Sequence, residues 1–417
     1  MNREALGEAL REAPIPVSAD AEERGRRVVE AAFAQRPPGG SSGAERHLPS
    51  LPRLALGLAL ATLLAVLLLS PAGAAVRNWV NDAFTASTPR PEPTLARIPG
   101  GGRLLVQTGI GPWVVQPDGS RRLLGDYEEA SWSPHGLFVA AVKGRTLSAL
   151  EPDGTPRWSI TAAERVAVPR WSPSGERIVY RSGFDLRVIA GDGTEDRLLA
   201  GSIASGTPPG ARISPAYVAP AWSPTGDDAL AYVTGAGRLR ILDSETGTVL
   251  GAAPAMHRIT WMDWADGDRK ILEASPEALR LRPIWRAGHP SRPAPGQAHL
   301  LPLPAGATVV DAALAPQRPL VAAAVTHWKK RGTYSEVLVF SPGGKRRSLL
   351  KAPGSLGQVV WSPDGRRLLV AWPGANQWLF LPLSGDRGRA IANISRTISP
   401  DGRPTSFPRV EGWCCRR

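Results

Sequence analysis

Cysteine is almost absent from this sequence of 417 residues, which contains only two, Cys414 and Cys415. Adjacent cysteines cannot staple distant parts of a chain together, so the sequence excludes a disulfide-dense scaffold. A zinc-binding anti-sigma module in the amino-terminal region is excluded as well, because no cysteine lies there. Three interpretations of the pair stay open: a vicinal disulfide, a link to another chain, and a tail with no role.

The usual signatures of catalysis and cofactor binding are also missing. The six histidines are scattered, and there is no H-E-x-x-H pair, no G-x-S-x-G elbow and no phosphate-binding G-x-x-x-x-G-K-[ST] loop. Three Pro-Asp-Gly sequences, at 117–119, 152–154 and 363–365, fit turns better than calcium sites, because they lie on separate turns. The sequence therefore predicts no metal, no cofactor and no catalytic residue, and an enzyme stays open only as a site that the fold assembles.

Acidic residues are scarce in one part of the chain. Residues 318–417 hold 17 Lys or Arg against 5 Asp or Glu, whereas residues 54–317 hold 25 against 24. The candidate contacts to an anionic surface in this block are Lys329, Lys330, Arg331, Lys345, Arg346 and Arg347. One interpretation is attraction to anionic lipid, a cell-wall polymer or an acidic protein, and the other is a set of solvated turns without a ligand.

Charge is absent altogether from residues 54–76, "LALGLALATLLAVLLLSPAGAAV". A helix of this length reaches the ~30 Å of a bilayer core, which predicts a transmembrane helix. A cleaved signal peptide is the alternative, since Ala72-Gly73-Ala74 resembles a cleavage site, but 53 residues precede the apolar run. We expect residues 1–53 to be a cytoplasmic tail, part helical and part disordered, and residues 77–97 to be a juxtamembrane segment and Pro-rich spacer.

What the sequence does contain is a repeated motif, Trp-Ser-Pro, followed within three residues by Gly and then by an apolar stretch. The nearly intact copies are Trp132-Ser133-Pro134, Trp171-Ser172-Pro173, Trp222-Ser223-Pro224 and Trp361-Ser362-Pro363-Asp364-Gly365. Weaker copies occur at Trp264, at Ala315-Pro316 and at Ser399-Pro400-Asp401-Gly402. Because Pro ends a strand and Asp-Gly favours a hairpin, each copy predicts a turn between two strands.

The spacing of the motif predicts the architecture. Successive copies are 37 to 51 residues apart, and each unit has room for four strands, which is typical of a β-propeller. We interpret the tryptophans as structural residues that fill the space between blades. The motif resembles the WD40-like repeat of the TolB family, over roughly residues 98–410. That resemblance implies an all-β propeller, and propellers of this type usually work outside the cytoplasm.

The sequence favours seven four-stranded blades, with six and eight as alternatives. Residues 102–126 supply three strands without a preceding motif strand, and the last motif supplies a first strand, near Ile398, without three successors. Joining the two would make one composite blade and leave no open sheet edge. Residues 98–410 are thus expected to form the propeller, and residues 411–417 a carboxyl-terminal tail.

The function that we predict is non-enzymatic binding. The expected protein is a single-pass membrane protein with a cytoplasmic amino terminus and an extracytoplasmic propeller that binds an envelope protein, another ligand or an anionic envelope polymer, and no nucleic acid. Two alternatives stay open. One is an envelope-sensing regulator whose tail binds a signalling partner, and the other is a hydrolase or lyase with ionisable residues gathered at the propeller channel.

Overall fold

The computed structural model describes residues 91–415, except residues 93, 202–217, 227, 235, 285–297, 317, 330–331 and 385–387. The expected cytoplasmic tail and membrane helix therefore lie outside the described residues, as does most of the spacer. Among the residues that are described, no helix has both the length and the apolar character needed to span a bilayer.

The described residues form seven sheets, each with four antiparallel strands that we number from first to fourth. Blade 1 is the composite blade, because its first strand comes from the end of the chain. Its strands, from first to fourth, are Arg409–Cys414, Arg103–Thr108, Gly111–Val115 and Arg121–Leu123. The all-β, seven-bladed prediction is confirmed.

Blades 2 to 4 follow in chain order. Blade 2 contains Glu129–Trp132, Val139–Lys143, Thr146–Leu150 and Pro156–Thr161. Blade 3 contains Val166–Trp171, Arg177–Ser182, Asp185–Ala190 and Arg197–Ala200. Blade 4 contains Ala221–Trp222, Ala229–Val233, Arg238–Asp243 and Val249–Pro254.

Blades 5 to 7 complete the set. Blade 5 contains Trp261–Ala265, Lys270–Ala274, Leu279–Pro283 and His299–Leu300. Blade 6 contains Ala307–Leu314, Val321–Lys329, Gly332–Phe340 and Arg346–Pro353. Blade 7 contains Val359–Trp361, Arg367–Trp372, Gln377–Pro382 and Arg389–Ala392, a 3₁₀ turn at Pro373–Ala375 and, after its last strand, a short helix at Ile394–Thr397.

The first strands form the centre of the molecule. The first strand of every blade contacts the first strands of both neighbouring blades, including blade 7 with blade 1, so the ring is closed. Second strands are almost wholly buried, as in Val139–Lys143, whereas fourth strands such as Pro156–Thr161 alternate between exposed and half-buried residues. The hydrophobic core therefore lies between adjacent blades near the axis, and the fourth strands form the outer edge.

Both ends of the described chain contribute to closure. Leu104 pairs with Trp413 in blade 1, and Trp413 meets Phe380 of blade 7 edge-on, with ring centroids 5.6 Å apart. Pro91–Glu92 adds a short parallel strand beside the fourth strand of blade 7. The sequence correctly predicted a composite blade, but the expectation that the segment near Ile398 closes it was wrong. That segment follows the short helix, and the closing strand is Arg409–Cys414, which crosses the boundary expected at residue 410.

The spacing of 37 to 51 residues takes Ala315 as the tryptophan position of its copy, and the structure places that position one residue earlier. The main-chain N–H of Ala315 bonds the oxygen of Leu320, as the N–H of Ser362 bonds the oxygen of Arg367 in an intact copy. Ala315 therefore occupies the serine position of the motif. Leu314 is the residue that stands where other blades have tryptophan.

Candidate functional site

The tryptophans of the motif end the first strands and connect each blade to the preceding one. Three of them donate the indole N–H to a main-chain oxygen on the preceding first strand. The pairs are Trp222 to Arg170 at 3.0 Å, Trp264 to Ala221 at 2.8 Å and Trp361 to Ala313 at 3.0 Å. A buried indole whose N–H is satisfied both fills space and fixes the register of two blades.

The remaining motif residues build the turn that follows. Ser133, Ser172, Ser223 and Ser362 are buried, and their following prolines, Pro134, Pro173, Pro224 and Pro363, begin the turns. In blade 7 the Ser362 hydroxyl accepts the N–H of Arg367 at 2.9 Å and donates to Asp364 at 2.6 Å. Gly365 has a φ of 61°, and a Cβ there would lie 2.9 Å from the Pro316 oxygen of blade 6. These residues therefore shape the scaffold.

The candidate basic residues do not form one patch. Lys329 ends the second strand of blade 6, whereas Lys345, Arg346 and Arg347 lie at the turn between its third and fourth strands. These turns are at opposite ends of the nine-residue third strand, roughly 25 Å apart at 3.3 Å per residue. Lys330 and Arg331 lie outside the described residues.

Two of these arginines connect neighbouring segments. Arg346 donates to the oxygen of Pro302 at 2.9 Å, and Arg347 donates to the oxygen of Leu383 at 2.6 Å. Lys329 lies over the ring of Tyr334, with its Nζ 4.9 Å from the centroid. Since Arg346 and Arg347 cap carbonyls between blades, a substitution there would test stability as well as surface charge.

A different group of charges gathers around the ring centre, and we call it the axial cluster. Its members lie on the first strands of blades 1, 2, 3, 5 and 6. They are Glu129, Arg170, Asp263, Asp311, Arg409 and Glu411. Four carboxylates and two guanidinium groups give the cluster a formal charge of −2.

The members act on one another across the ring. Arg170 of blade 3 acts on Asp263 of blade 5 and on Glu411 of blade 1, although neither blade is next to blade 3. Arg409 and Glu411 of blade 1 act on Asp311 of blade 6, with blade 7 between them. Because these interactions skip a blade, the charged groups lie near the ring centre, and we treat them together as one cluster.

Burial decides the protonation behaviour of its carboxylates. Burial raises the pKa of Asp263 to about 6, against the N–H of Trp264 and the charge of Arg170. Burial likewise raises the pKa of Asp311 to about 6, while the N–H groups of Val359 and Ala312 oppose the shift. Burial also raises the pKa of Glu411, whose partner Arg409 lies 2.5 Å away. Perturbed carboxylates of this kind are concentrated at functional sites in proteins.

Two carboxylates of the cluster also support the backbone of the next blade. Asp311 accepts the N–H of Val359 at 2.9 Å, and Glu129 accepts the N–H of Val168 at 2.7 Å. Val168 has a φ of 48°, a conformation that β-branched residues rarely adopt, in a bulge of its strand. The cluster is thus held on rigid strands by main-chain hydrogen bonds.

Sequence reasoning missed the axial cluster. The sequence feature that could have revealed the cluster is the position of three charged residues relative to the motif. Arg170 and Asp263 immediately precede a motif tryptophan, and Glu129 lies three residues before another. A charge on a first strand cannot be solvated like a charge on a turn. Within the described residues, no group of three or more His, Cys, Asp or Glu side chains is arranged to hold a metal ion.

Cys414 and Cys415 form a vicinal disulfide at the end of the closing strand. A Cβ at Gly136 would lie 2.7 Å from each sulfur, so the pair packs against the motif turn of blade 2. Arg103 reaches the same turn, where its Nη2 donates to the oxygen of Gly136 at 2.7 Å. The pair belongs to the joint between blades 1 and 2.

The strand pairing defines a seven-bladed β-propeller, and comparison with known proteins adds no family to that class. No protein-family profile matches the chain, and no curated protein sequence matches it. Among solved structures, the chain is similar to the β-propeller domain of Cps50 (Swd1) from Myceliophteria thermophila. The TM-score is 0.46, the identity is 16%, and the match covers 66% of this chain and 94% of that one.

Two other solved structures are similar at the same level. The C-terminal WD40 domain of Sif2 has a TM-score of 0.49 and 14% identity, over 70% of this chain and 82% of that one. Hydrazine synthase from Kuenenia stuttgartiensis has a TM-score of 0.44 and 10% identity, over 61% of this chain and 76% of that one. The fold assignment rests on the strand pairing itself.

Proposed function

We propose that this protein is a binding module of the bacterial envelope, built on a TolB-type propeller and held by one membrane anchor. The observation that carries the proposal is the convergence of six charged side chains, from five blades, at the centre of a rigid ring. Charges of both signs on fixed strands suit recognition of a polar or charged partner group. Turns at the ends of the blades supply the surrounding contact surface.

The location is part of the same proposal. Residues 54–76 would cross the membrane, the tail before them would lie in the cytoplasm, and the propeller would work outside. The support is the uncharged 23-residue run and the resemblance of the Trp-Ser-Pro repeat to propellers that work outside the cytoplasm. An envelope protein is the partner that we propose, with an anionic envelope polymer as the alternative for the basic residues.

Site-specific photocrosslinking in native membranes tests the proposal. A crosslinking amino acid is placed at Leu137, on the turn face that carries the motif, or at Trp328, near the turn between the second and third strands of blade 6. The matched control position is Val249, on an outer strand; the three side chains are 62%, 69% and 47% exposed. We expect one defined protein to be captured from one face and not from the outer strand.

The same experiment includes a charge test. Replacing Glu129 and Glu411 by Gln should weaken the specific capture, because both carboxylates belong to the axial cluster. Equal capture from all three positions, or capture that ignores the axial charges, would contradict a binding site at the ring centre. Sequencing of the captured protein then identifies the partner.

One observation favours a second candidate function, a hydrolase or lyase. A carboxyl group with a pKa of about 6, as in Asp311, can exchange a proton near neutral pH, which general acid–base catalysis requires. An enzyme would chemically change the molecule that it captures, and an Asp311→Asn variant would bind that molecule without changing it. A partner recovered unchanged favours the binding module.

A further inference from the structure

Among blades 2 to 7, which carry the motif, only blade 6 lacks its tryptophan. Leu314 occupies the position from which an indole would reach back to the first strand of blade 5. A cavity of about 670 Å³ lies between the blades there, and its lining includes Pro224, Asp263, Trp264, Lys270, Leu314 and Arg318. A second cavity, of about 550 Å³, lies beside Trp171 between blades 2 and 3, so what distinguishes the site at blades 5 and 6 is its lining.

One residue of the cavity lining, Asp263, is a half-buried carboxylate without an ion-pair partner within 4 Å, although Arg170 acts on it from further away. Asp263 accepts the N–H of Trp264 at 2.8 Å, and within the described residues no Lys, Arg or His nitrogen lies within 4 Å of its carboxylate. Glu273, on the next strand of the same blade, is fully buried but has two arginines, Arg280 at 2.7 Å and Arg282 at 3.0 Å. A buried carboxylate normally has such partners, because burying a lone charge is costly.

The other charges at the cavity do not satisfy Asp263. Lys270 pairs with Asp266 at 3.1 Å, so these two charges offset one another. Arg318 is exposed at the rim, where solvent weakens its repulsion of an entering cation. The remaining lining is largely apolar, with Trp264, Leu314 and Val321 among its residues.

We propose that this cavity between blades 5 and 6 binds an organic monocation, an ammonium group on a compact apolar body, with the ammonium on Asp263. The ammonium supplies the ion-pair partner that the carboxylate lacks within 4 Å, and the apolar body packs against the apolar lining, which includes Trp264, Leu314 and Val321. A metal ion fits less well, because one free carboxylate cannot supply the several oxygen ligands that a hard cation takes. The ammonium can belong to a free amine or to the lysine side chain of a partner.

Calorimetric titration of the full-length chain in mild detergent tests the proposal, with benzylammonium as the free amine and N-acetyl-lysine amide as the side-chain probe. Benzyl alcohol is the uncharged control. We expect saturable binding of at least one cation with a Kd below about 10 mM, and binding of the alcohol at least ~10-fold weaker. Tighter benzylammonium indicates a free amine as the natural occupant, and a tighter lysine probe indicates a protein side chain.

Three variants connect the binding to the geometry. Asp263→Asn should weaken cation binding at least ~10-fold, which is the loss of one charged contact. Leu314→Trp places an indole in the cavity lining, so it should narrow the space and weaken binding of all probes without unfolding the ring. Asp192→Asn removes an exposed carboxylate of blade 3 and should leave binding unchanged.

The outcomes separate clearly. Weaker binding in Leu314→Trp and Asp263→Asn, with unfolding midpoints no lower than that of the wild type, supports the site. The proposal is overturned if the wild type binds neither cation, if benzyl alcohol binds equally well, or if Asp263→Asn binds the cations as tightly as the wild type. None of these results depends on the partner protein sought at the axis, so failure here leaves the binding-module proposal standing.

Discussion

Blades 7 and 6 are neighbours, but only blade 7 has the intact motif. In blade 7, Trp361 is 3% exposed and bonds back to Ala313 of blade 6. In blade 6, Leu314 replaces the tryptophan and borders a cavity between blades 5 and 6. The two units have the same strand order, so the difference between them is one of packing and not of fold.

The difference extends to charge. The two units with degenerate motifs, blades 5 and 6, contribute Asp263 and Asp311, the carboxyl groups whose pKa burial raises to about 6. The intact blades 4 and 7 have Ala221 and Val360 immediately before the tryptophan, where blade 5 has Asp263. Departures from a local rule without local compensation are expected at functional sites. The two carboxyl groups with a pKa of about 6 thus lie on the degenerate copies, whereas Glu129 and Arg170 of the axial cluster lie on intact ones.

The largest expected effect comes from removing the intact tryptophan. Trp361→Ala should lower the free energy of unfolding by about 3–5 kcal/mol, because it empties a buried site and frees a backbone acceptor. Leu314→Ala should cost only about 1–2 kcal/mol, since Leu314 is half-buried and already borders a cavity. Urea unfolding at constant pH measures both.

Trp328→Ala is the control for residue type. Trp328 is 69% exposed on blade 6, so its removal should change the free energy of unfolding by less than about 0.5 kcal/mol. Equal losses for Trp361→Ala and Leu314→Ala would remove the distinction between intact and degenerate blades.

A smaller change in the free energy of unfolding, an increase rather than a decrease, is expected when Asp263 or Asp311 is replaced. Asp263 and Asp311 have folded-state pKa values of about 6, above the ordinary aspartate pKa of 3.8, so the folded protein holds more protons between about pH 4 and 6. Their ionisation therefore lowers stability as the pH rises through this window. Asp263→Asn and Asp311→Asn should each raise the unfolding free energy at pH 7.5, by about 1–3 kcal/mol, and should have little effect near pH 4.

Asp192→Asn is the matched control in an intact blade. The Thr194 hydroxyl and N–H lower the pKa of Asp192, so its ionised form is favoured in the folded state. Its contribution to stability is present at neutral pH and is lost as the pH falls below the ordinary range of an aspartate. The Asn variant should therefore be slightly less stable at pH 7.5. If all three variants shift stability in the same direction, burial is not what distinguishes the axial carboxylates.

The blades could be predicted from the sequence because each motif acts locally. Ser362 and Asp364 hold a turn through contacts within five residues, so the sequence alone contains the information. The axial cluster depends instead on closure of the ring, which brings Arg170 near Glu411 across 241 positions of sequence. No local sequence pattern predicts that two residues so far apart in the chain lie close together.

The closing strand shows a second limit of the same kind. Ser399-Pro400-Asp401-Gly402 does form its turn, with Ser399 bonded to Asp401 at 2.9 Å, yet no strand of blade 1 precedes it. The strand Arg409–Cys414 pairs with Arg103–Thr108 without a motif of its own. The count of strands in the first and last units predicted that the two ends of the propeller meet. Which carboxyl-terminal segment closes the ring depends on pairing between residues more than 300 positions apart.

The smallest expected effect concerns the cysteines at this closure. The disulfide between Cys414 and Cys415 joins adjacent residues, so it removes little conformational entropy from the unfolded chain. Closure depends instead on the strand pairing and on Trp413, which is 7% exposed and donates to the oxygen of Gly101 at 2.8 Å.

Reduction, or the double substitution of both cysteines by Ser, should change the free energy of unfolding by less than about 1 kcal/mol. Gly136→Ala should cost more, because φ is +62° at that position and its new Cβ would meet both sulfurs. Urea unfolding with and without reductant measures the difference, and a loss above about 2 kcal/mol on reduction would mean that the cysteine pair, not the β-strand, holds the ring closed.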